Sequence, residues 1–323
     1  MNILYIIGNG FDINLGLKTK YSDFYKYYQS QLSNDQLVNK LKNEIVVGID
    51  NWSDLEVAFG KYMVNINDRE EFDKVYDDIV INLGEYLESE ENEFDFSKVD
   101  KAILLKDLWT PELFLTQGDI QELVSFKNNW GATTWNINII TLNYTRSLEK
   151  ILENEISNIS IGRHHNGQVV LGNIHHIHGY TDDRTILGVN DISQVGKEEF
   201  HTNQDILNAL IKPNANRALR HNIDRICESQ VLRANLICIF GSSIGETDNY
   251  WWKLIGDQLR RNSKIIILMK GEEISRRLAY KSVRSKQAYR ELFLSKTDLS
   301  DAEKLTLQNN IYVGINTNMF TII

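Results

Sequence analysis

The sequence predicts an α/β protein built on a doubly wound, mostly parallel β-sheet that carries a helical insertion. Short apolar runs rich in Ile recur along the chain, and each stops at a loop that contains Gly, Asn or Ser. A helical pattern follows several of these loops. Such strand, loop and helix units place parallel strands side by side and cover both faces of the sheet with helices. We expect residues 1–323 to form one sheet domain.

The predicted elements follow from the periodicity of the apolar residues and from the positions of Gly and Pro. Strands are predicted at residues 3–7, 136–142, 173–178, 234–240 and 263–269, with two short strands around a hairpin turn at 164–168 and a short strand at the carboxyl end. Residues 35–130 have a mainly helical pattern, which predicts a helical insertion or cap. An irregular loop is predicted at 180–196, and residues 197–229 are predicted to form two helices that break near Pro213.

The composition restricts the compartment and the partners. The chain has 35 basic and 44 acidic residues, and the resulting net charge of −9 disfavours general binding to nucleic-acid phosphates. Two cysteines, Cys227 and Cys238, are too few for a disulfide framework or a four-cysteine zinc site. No apolar run reaches the ~18 residues of a membrane span, and the amino terminus lacks the basic segment of an export signal. We therefore expect a cytoplasmic protein that does not enter a membrane.

Four predicted strands end in loops whose residues suit a nucleotide site. In open α/β sheets, ligands bind beyond the carboxyl ends of the strands, so residues at these ends are candidates for binding. The candidates are Gly8, Asn9, Gly10, Phe11 and Asp12 at the first strand, Thr141, Asn143 and Tyr144 at the second, His178 before a glycine, and Gly241, Ser242, Ser243 and Asp248 after the strand at 234–240.

Each of these loops has a chemical explanation and a structural one. Glycines let backbone N–H groups approach a phosphate or ribose closely, but a plain strand-to-helix turn explains them as well. The Asn143 amide can hold a water or a ribose hydroxyl, or it can cap the helix that follows. A strand-terminal histidine such as His178 can act as a general base near neutral pH. Ser242 and Ser243 offer small donors, although a glycine turn explains their loop equally.

The order of these loops, Gly loop, Asn loop, His-Gly pair and Gly-Ser loop, resembles the nucleotide site of the sirtuins. The resemblance implies a Rossmann-like, sirtuin-like sheet that binds NAD. The implied roles are catalysis for Asn143 and His178, phosphate binding for Gly8 and Gly10, and contact with the adenosine side for Ser242 and Ser243. Protein deacetylation is not expected, because two cysteines cannot form the zinc module of sirtuin deacetylases.

Longer motifs resemble the AbiH family of bacterial abortive-infection proteins. These motifs are IGNGFD at 7–12, GLKTKYSDF at 16–24, WSDLE at 52–56, LNYT at 142–145, HIHG at 176–179 and GSSIGETD at 241–248. They extend over most of the chain, and the first is long enough to be specific. The resemblance implies a role in defence against phage, with a phage-derived trigger that the motifs do not identify.

Metal-independent hydrolysis of NAD⁺ is the first hypothesis that follows from these resemblances. In it, Asn143 orients a water or the nicotinamide ribose, His178 accepts a proton, and nicotinamide leaves. NAD⁺ or a related nucleotide is then the substrate or ligand, and no metal ion is needed. Loss of NAD⁺ would stop an infected cell, which agrees with abortive infection.

Two other functions remain open on the sequence alone. Five of the seven histidines, namely His164, His165, His175, His176 and His178, lie close together and would suit the divalent metal of a nuclease or phosphodiesterase. Alternation along a strand places His176 and His178 on one face. In the other alternative, the site binds a nucleotide without turnover and residues 35–130 signal to a partner. Trp251 and Trp252 are expected to pack internally or to contact a second copy in a homo-oligomer.

Overall fold

The computed structural model describes residues 1–154 and 158–323, with every side chain in these ranges except that of Arg276. Its centre is a seven-stranded mixed sheet, so the protein is of the α/β class. The strands are β1 (Asn2–Ile7), β2 (Trp135–Thr141), β3 (Ile159–His164), β4 (Gly167–His176), β5 (Leu236–Phe240), β6 (Lys264–Met269) and β7 (Ile311–Ile315). They lie in the order β3-β4-β2-β1-β5-β6-β7. All neighbours among these strands are parallel except β3 and β4, which form an antiparallel hairpin.

The hairpin corrects the prediction of a separate strand at 173–178. β4 continues from the hairpin turn to His176, and the predicted third strand is its carboxyl half. Near Gly172 and Asn173 the strand does not end, and the pairing of β2 with β4 only shifts register. The Asn138 side chain accepts a hydrogen bond from the Asn173 N–H at 3.2 Å, which keeps the irregular backbone satisfied.

Both faces of the sheet are buried, which explains why its central strands are continuous apolar runs. In β1, Ile3, Tyr5 and Ile7 join one apolar cluster, whereas Leu4 and Ile6 join a cluster on the opposite face. The side chains alternate because successive residues of a strand point to opposite faces. A polar residue in this run would therefore be buried whichever face it occupied.

Helices surround the sheet and form most of the remaining chain. They are α1 (Gly10–Leu15), α2 (Tyr21–Ser30), α3 (Gln36–Val47), α4 (Leu55–Tyr62), α5 (Arg69–Glu93), α6 (Lys101–Trp109), α7 (Gln117–Asn128), α8 (Ser147–Ile151), α9 (Gln204–Leu210), α10 (Lys212–Leu219), α11 (Ile223–Arg233), α12 (Asn249–Leu259), α13 (Ala279–Ser295) and α14 (Asp301–Leu307). Within the described ranges, none of them combines the length and the apolar character that crossing a membrane requires.

The predicted insertion at 35–130 divides into two parts that pack differently. Helices α2 to α5 form what we call the helical layer, residues 21–93, which shares an apolar cluster with parts of 187–211. Helices α6 and α7 instead pack against the sheet, because Leu104, Leu108 and Leu123 belong to the cluster on one of its faces. The helical pattern therefore begins before residue 35 and serves two separate cores.

Residues 197–229 contain more helices than the two predicted from the position of Pro213. Helices α9, α10 and α11 occupy this region, and Pro213 lies in the first turn of α10. The first turn tolerates proline because its N–H groups have no partner within the helix. The break falls instead at Ile211, whose extended backbone separates α9 from α10.

Candidate functional site

A cavity of about 760 Å³ lies between the carboxyl ends of the central strands and the helical layer. Strands β4, β2, β1 and β5 are parallel neighbours, so the loops that follow them meet at one edge of the sheet. The opposite wall belongs to the helical layer and includes Tyr21, Trp52 and Leu87. The predicted site residues on the wall are Gly8, Asn9, Gly10, Asp12, Asn143, Tyr144, His178, Gly241, Ser242, Ser243 and Asp248.

Phe11 and Thr141 are predicted site residues that lie behind this wall. Phe11 packs edge-on against Phe240 and Phe320 in the core beneath the first loop. The Thr141 hydroxyl accepts a hydrogen bond from the Asn143 N–H at 3.1 Å. Both residues shape the loops that reach the cavity, and neither is positioned to touch a ligand there.

The glycines of the first loop have a different role from the one predicted. The Gly8 N–H donates to the Phe240 carbonyl at 2.9 Å, and the Gly10 N–H donates to the Gly241 carbonyl at 2.7 Å. A Cβ atom on Gly10 would lie 2.5 Å from the Cα of Gly241. The glycines therefore let the loops after β1 and β5 pack against each other, and their N–H groups are not available to a phosphate.

Free backbone donors occur nearby, in the loop after β5. Within residues 1–154 and 158–323, the N–H groups of Ser242 and Ser243 donate to no acceptor, while the Ile244 N–H donates to the Ser242 hydroxyl. Ser242 and Ser243 both line the cavity. This loop can therefore supply two hydrogen-bond donors to an anionic or carbonyl-bearing ligand.

His178 belongs to a buried network of four charged or titratable side chains. Its Nε2 lies 2.8 Å from Asp248 Oδ1, and the same oxygen accepts from Lys212 Nζ at 3.1 Å. Lys212 Nζ also donates to Glu56 Oε2 at 2.6 Å. The His178 Nδ1 atom is buried and has no hydrogen-bond partner within the described residues. One nitrogen of the imidazole is thus fixed by a carboxylate, and the other is free.

The two carboxyl groups of the network have pKa shifts in opposite directions. Burial would raise the pKa of Asp248, but Lys212 and His178 hold it well below its ordinary value. Burial raises the pKa of Glu56 to about 7, against the opposing effect of Lys212. Only one ammonium group, that of Lys212, contacts the two buried carboxyl groups. Asp248 therefore stays ionised, and Glu56 is the first of the two to bind a proton as the pH falls. Burial and the Lys212 charge both lower the pKa of His178, and Asp248 opposes them.

Asn143 is held through its backbone, by a second histidine. The Asn143 carbonyl lies 2.9 Å from His176 Nδ1, and His176 Nε2 lies 2.8 Å from Glu149 Oε1. The prediction that His176 and His178 share one face is wrong, because β4 ends at His176 and the alternation ends with it. The helix-cap explanation of Asn143 is also wrong, since α8 begins at Ser147 with Arg146 at its cap position.

Asp12 supplies a buried carboxylate from the first turn of α1, which follows β1. Its Oδ2 accepts a hydrogen bond from the Thr145 hydroxyl at 2.5 Å, and its Oδ1 has no partner within the described chain. Burial raises the pKa of Asp12 from 3.8 to about 6, although the Thr145 hydrogen bond opposes the shift. The side chain is therefore expected to gain and lose a proton near pH 6, well above the range of an exposed aspartate.

We expect Asp12→Asn to remove a pH dependence from the stability of the fold. The folded chain binds the Asp12 proton more tightly than the unfolded chain, so stability falls as pH rises between about 4 and about 6. A shift from 3.8 to about 6 corresponds to about 3 kcal/mol. Urea unfolding at pH 4 and pH 7 should show Asp12→Asn gaining about this much on the wild type at the higher pH. An equal difference at both pH values would contradict the assignment.

Three residues that line the cavity each carry a buried acceptor atom with no hydrogen-bond partner among residues 1–154 and 158–323. These atoms are Asp12 Oδ1, the amide oxygen Asn143 Oδ1 and the imidazole nitrogen His178 Nδ1. A buried polar atom without a hydrogen bond costs free energy, so the site is suited to a ligand that brings donors. Hydroxyl and amide groups satisfy such acceptors, and the oxygen atoms of a phosphate diester do not.

The remaining histidines of the 164–178 segment have separate surroundings. His164 stacks on Trp135 with ring centroids 3.7 Å apart, His165 contacts Asn128, and His175 contacts Gln230. In the part of the chain that the structure describes, no group of three or more His, Cys, Asp or Glu side chains could hold a metal ion. The five histidines therefore do not form one ligand set.

Two residues of the network, Glu56 and Lys212, are not among the site residues predicted from the sequence. Glu56 lies in the motif at 52–56, and the sequence alone does not distinguish a place in a cleft from a solvated helix face. Lys212 precedes Pro213 and carries no sequence signal of its own. Their burial depends on contacts between α4 and α10, which only the tertiary structure brings together. Trp251 and Trp252 are both buried in the core, which favours internal packing over a contact between copies.

Residues 4–269 match the model of the family described as bacteriophage abortive infection AbiH. The chain belongs to the AbiH family. The AbiH match includes every residue that lines the cavity, and AbiH membership suggests a role in abortive infection as a defence against phage. No protein in the curated collection matches this AbiH chain.

Proposed function

We propose that this AbiH protein is an NAD⁺ hydrolase that acts in abortive infection and releases nicotinamide without a metal ion. The observation that carries the proposal is that Asp12, Asn143 and His178 each have a buried acceptor atom with no hydrogen-bond partner among the described residues. The nicotinamide riboside half of NAD⁺ brings two ribose hydroxyls and a carboxamide, which are the donors that this set lacks. Phosphate oxygens only accept hydrogen bonds, so these acceptors would contact the ribose or base part of a ligand and not its phosphates.

The same residues suit the bond cleavage. As the glycosidic C–N bond breaks, its electron pair leaves with nicotinamide and positive charge develops on the ribose. The ionised carboxylates of Asp12 and Asp248 lie on the cavity wall and stabilise such a charge. Asn143 Oδ1 orients a water, and His178 Nδ1 accepts its proton as the oxygen bonds to the ribose. The products are nicotinamide, ADP-ribose and a proton.

The remainder of the cavity supports the rest of the dinucleotide. Its volume of about 760 Å³ lies within the ordinary range of ligand pockets, about 300–1,000 Å³. The free N–H groups of Ser242 and Ser243 and the ammonium of Lys20 are available for phosphate oxygens. The proposal includes a doubly wound, sirtuin-like interpretation of the sheet, which is supported by the apolar clusters on both faces and the ligand loops at one edge.

The test is an incubation of the purified full chain with NAD⁺, and separately with DNA and RNA, each with and without EDTA. We expect nicotinamide release that EDTA does not change and that Asn143→Ala abolishes. Asn136→Ala is the matched control, because Asn136 lies at the exposed amino end of β2 and not on the cavity wall. EDTA-sensitive strand cleavage with intact NAD⁺ would favour a nuclease, and NAD⁺ binding without turnover would favour a sensor.

A further inference from the structure

Lys212 connects the helical layer to the candidate base. Its side chain is only 3% exposed and lies between Glu56 of α4 and Asp248, which follows β5. Asp248 Oδ1 accepts from Lys212 Nζ and also contacts His178 Nε2. Lys212 is thus connected to the imidazole through the Asp248 carboxylate. Within the described chain, Lys212 forms no hydrogen bond with His178 Nδ1.

We propose that Lys212 is a positioning residue: by keeping Asp248 ionised, it holds His178 with the proton on Nε2 and leaves Nδ1 as the nitrogen that accepts a proton. The role of His178 as a catalytic base in this inference rests on the proposed function. The tautomer and the charge state that it assigns belong to the protein without any ligand, so they can be measured independently of turnover.

The tautomer follows from the hydrogen-bonding capacity of Asp248. An ionised carboxylate only accepts hydrogen bonds, so the Nε2 atom at 2.8 Å must carry the proton. A protonated carboxyl group could instead donate to Nε2, which would move the imidazole proton to Nδ1 and remove the base. The Lys212 ammonium disfavours that state, because it would be left beside a neutral acid.

The cations near His178 disfavour its positively charged form, whereas the Asp248 carboxylate favours it. Arg184, which donates to the His176 carbonyl at 3.0 Å, and Lys212 are the nearby cations, and both disfavour a positively charged imidazole. Asp248 is the carboxylate in contact with the ring, and Glu56 acts through Lys212. The network therefore keeps His178 neutral and fixes which of its nitrogens is free.

The position of Lys212 depends on the helical layer. Glu56 lies in the first turn of α4, and the Asp54 side chain caps that helix by accepting from the Glu56 N–H at 3.1 Å and the Val57 N–H at 3.2 Å. The cap fixes the backbone from which Glu56 reaches Lys212. A displacement of α4 relative to the sheet would remove one of the two carboxylates that hold Lys212.

A second buried lysine in the chain allows a matched control. Lys127 donates to Glu112 Oε1 at 2.7 Å, and the side chains are 4% and 7% exposed. This pair lies close to Trp135 and is not on the cavity wall. Replacing Lys127 should therefore cost stability in the same way as replacing Lys212, without an effect on His178.

The experiment is an NMR titration of the ligand-free full chain with isotope-labelled histidine, in the wild type, Lys212→Met and Lys127→Met, with His178→Ala to assign the signal. We expect the wild type to show the Nε2–H tautomer. In Lys212→Met the pKa of His178 should rise by about one pH unit or more, and the tautomers should mix. Lys127→Met should leave both properties unchanged.

Lys212→Gln keeps a hydrogen-bond donor without the charge and provides a second variant in case Lys212→Met does not fold. A folded Lys212→Met or Lys212→Gln protein with an unaltered pKa and tautomer of His178 would overturn the inference. If the wild type releases nicotinamide, the acid limb of the kcat/KM profile should move upward with the pKa. If it does not, the proposed function fails and the NMR result still decides the role of Lys212.

Discussion

Replacing His178 by alanine is expected to lower the kcat of nicotinamide release by about 10²- to 10⁴-fold, the usual contribution of a general base. The physical reason is the free Nδ1 atom, which is buried on the cavity wall while Asp248 holds the other nitrogen of the ring. NAD⁺ binding should change far less, because the remaining contacts of the dinucleotide lie elsewhere in the cavity. Steady-state kinetics together with calorimetric binding of NAD⁺ separates the two effects.

His175→Ala provides the comparison for this loss. His175 lies in β4, three residues before His178, and is half-buried, but its imidazole contacts Gln230 and does not line the cavity. Its replacement should leave kcat within a small factor of the wild type. Equal losses in both variants would show that any histidine near the end of β4 affects activity through the fold, and would count against His178 as the base.

Gly179→Ala is expected to lower the free energy of unfolding by roughly 2–5 kcal/mol, from the combined cost of a left-handed backbone and an overpacked turn. Gly179 has a φ of +80°, and a Cβ atom there would lie 1.9 Å from the Arg184 carbonyl oxygen. The clash is with backbone, so a rotamer change cannot relieve it. Because Gly179 follows His178 directly, the displaced turn should also reduce nicotinamide release. Urea unfolding measures the first effect.

Gly118→Ala is the matched control for that substitution. Gly118 lies in α7, its φ is not positive, and nothing lies within 4 Å of the position that a Cβ atom would take. Alanine should stabilise this helix by about 0.5–1 kcal/mol, because it restricts the unfolded chain more than glycine does. If Gly179→Ala proved equally harmless, the turn after His178 would be adaptable and its glycine would have no structural necessity.

The amino-acid sequence alone was sufficient to predict the α/β class and to select residues most of which line one cavity. The strand predicted at 3–7 is β1, and the strand predicted at 234–240 contains β5, because continuous apolar runs bounded by glycine are typical of strands buried on both faces. Parallel strands bring their carboxyl-terminal loops to one edge. Residues as distant as Asp12, Asn143 and Asp248 could therefore be assigned to a common cavity from local patterns.

Local patterns were less informative where one residue type serves two purposes. A glycine can open a loop to a phosphate or allow two loops to touch, and the contact of Gly10 with Gly241 selects the second purpose. Alternation describes a residue only while the strand continues, so it could not place His178, which lies beyond β4. Each of these outcomes depends on a neighbour that the local sequence does not contain.

Only the tertiary structure shows which charged side chains of the site are buried together. Glu56 and Lys212 are 156 residues apart in the chain, and His178 and Asp248 are 70 apart. A charged side chain can be buried only where an opposite charge or hydrogen-bond partner meets it, since desolvation otherwise costs too much. Composition and periodicity indicate neither which charged side chains come into contact nor the geometry of the contact. The sequence thus determined which loops surround the cavity, whereas contacts between α4, α10 and the loop after β5 bring Glu56, Lys212 and Asp248 together beside His178.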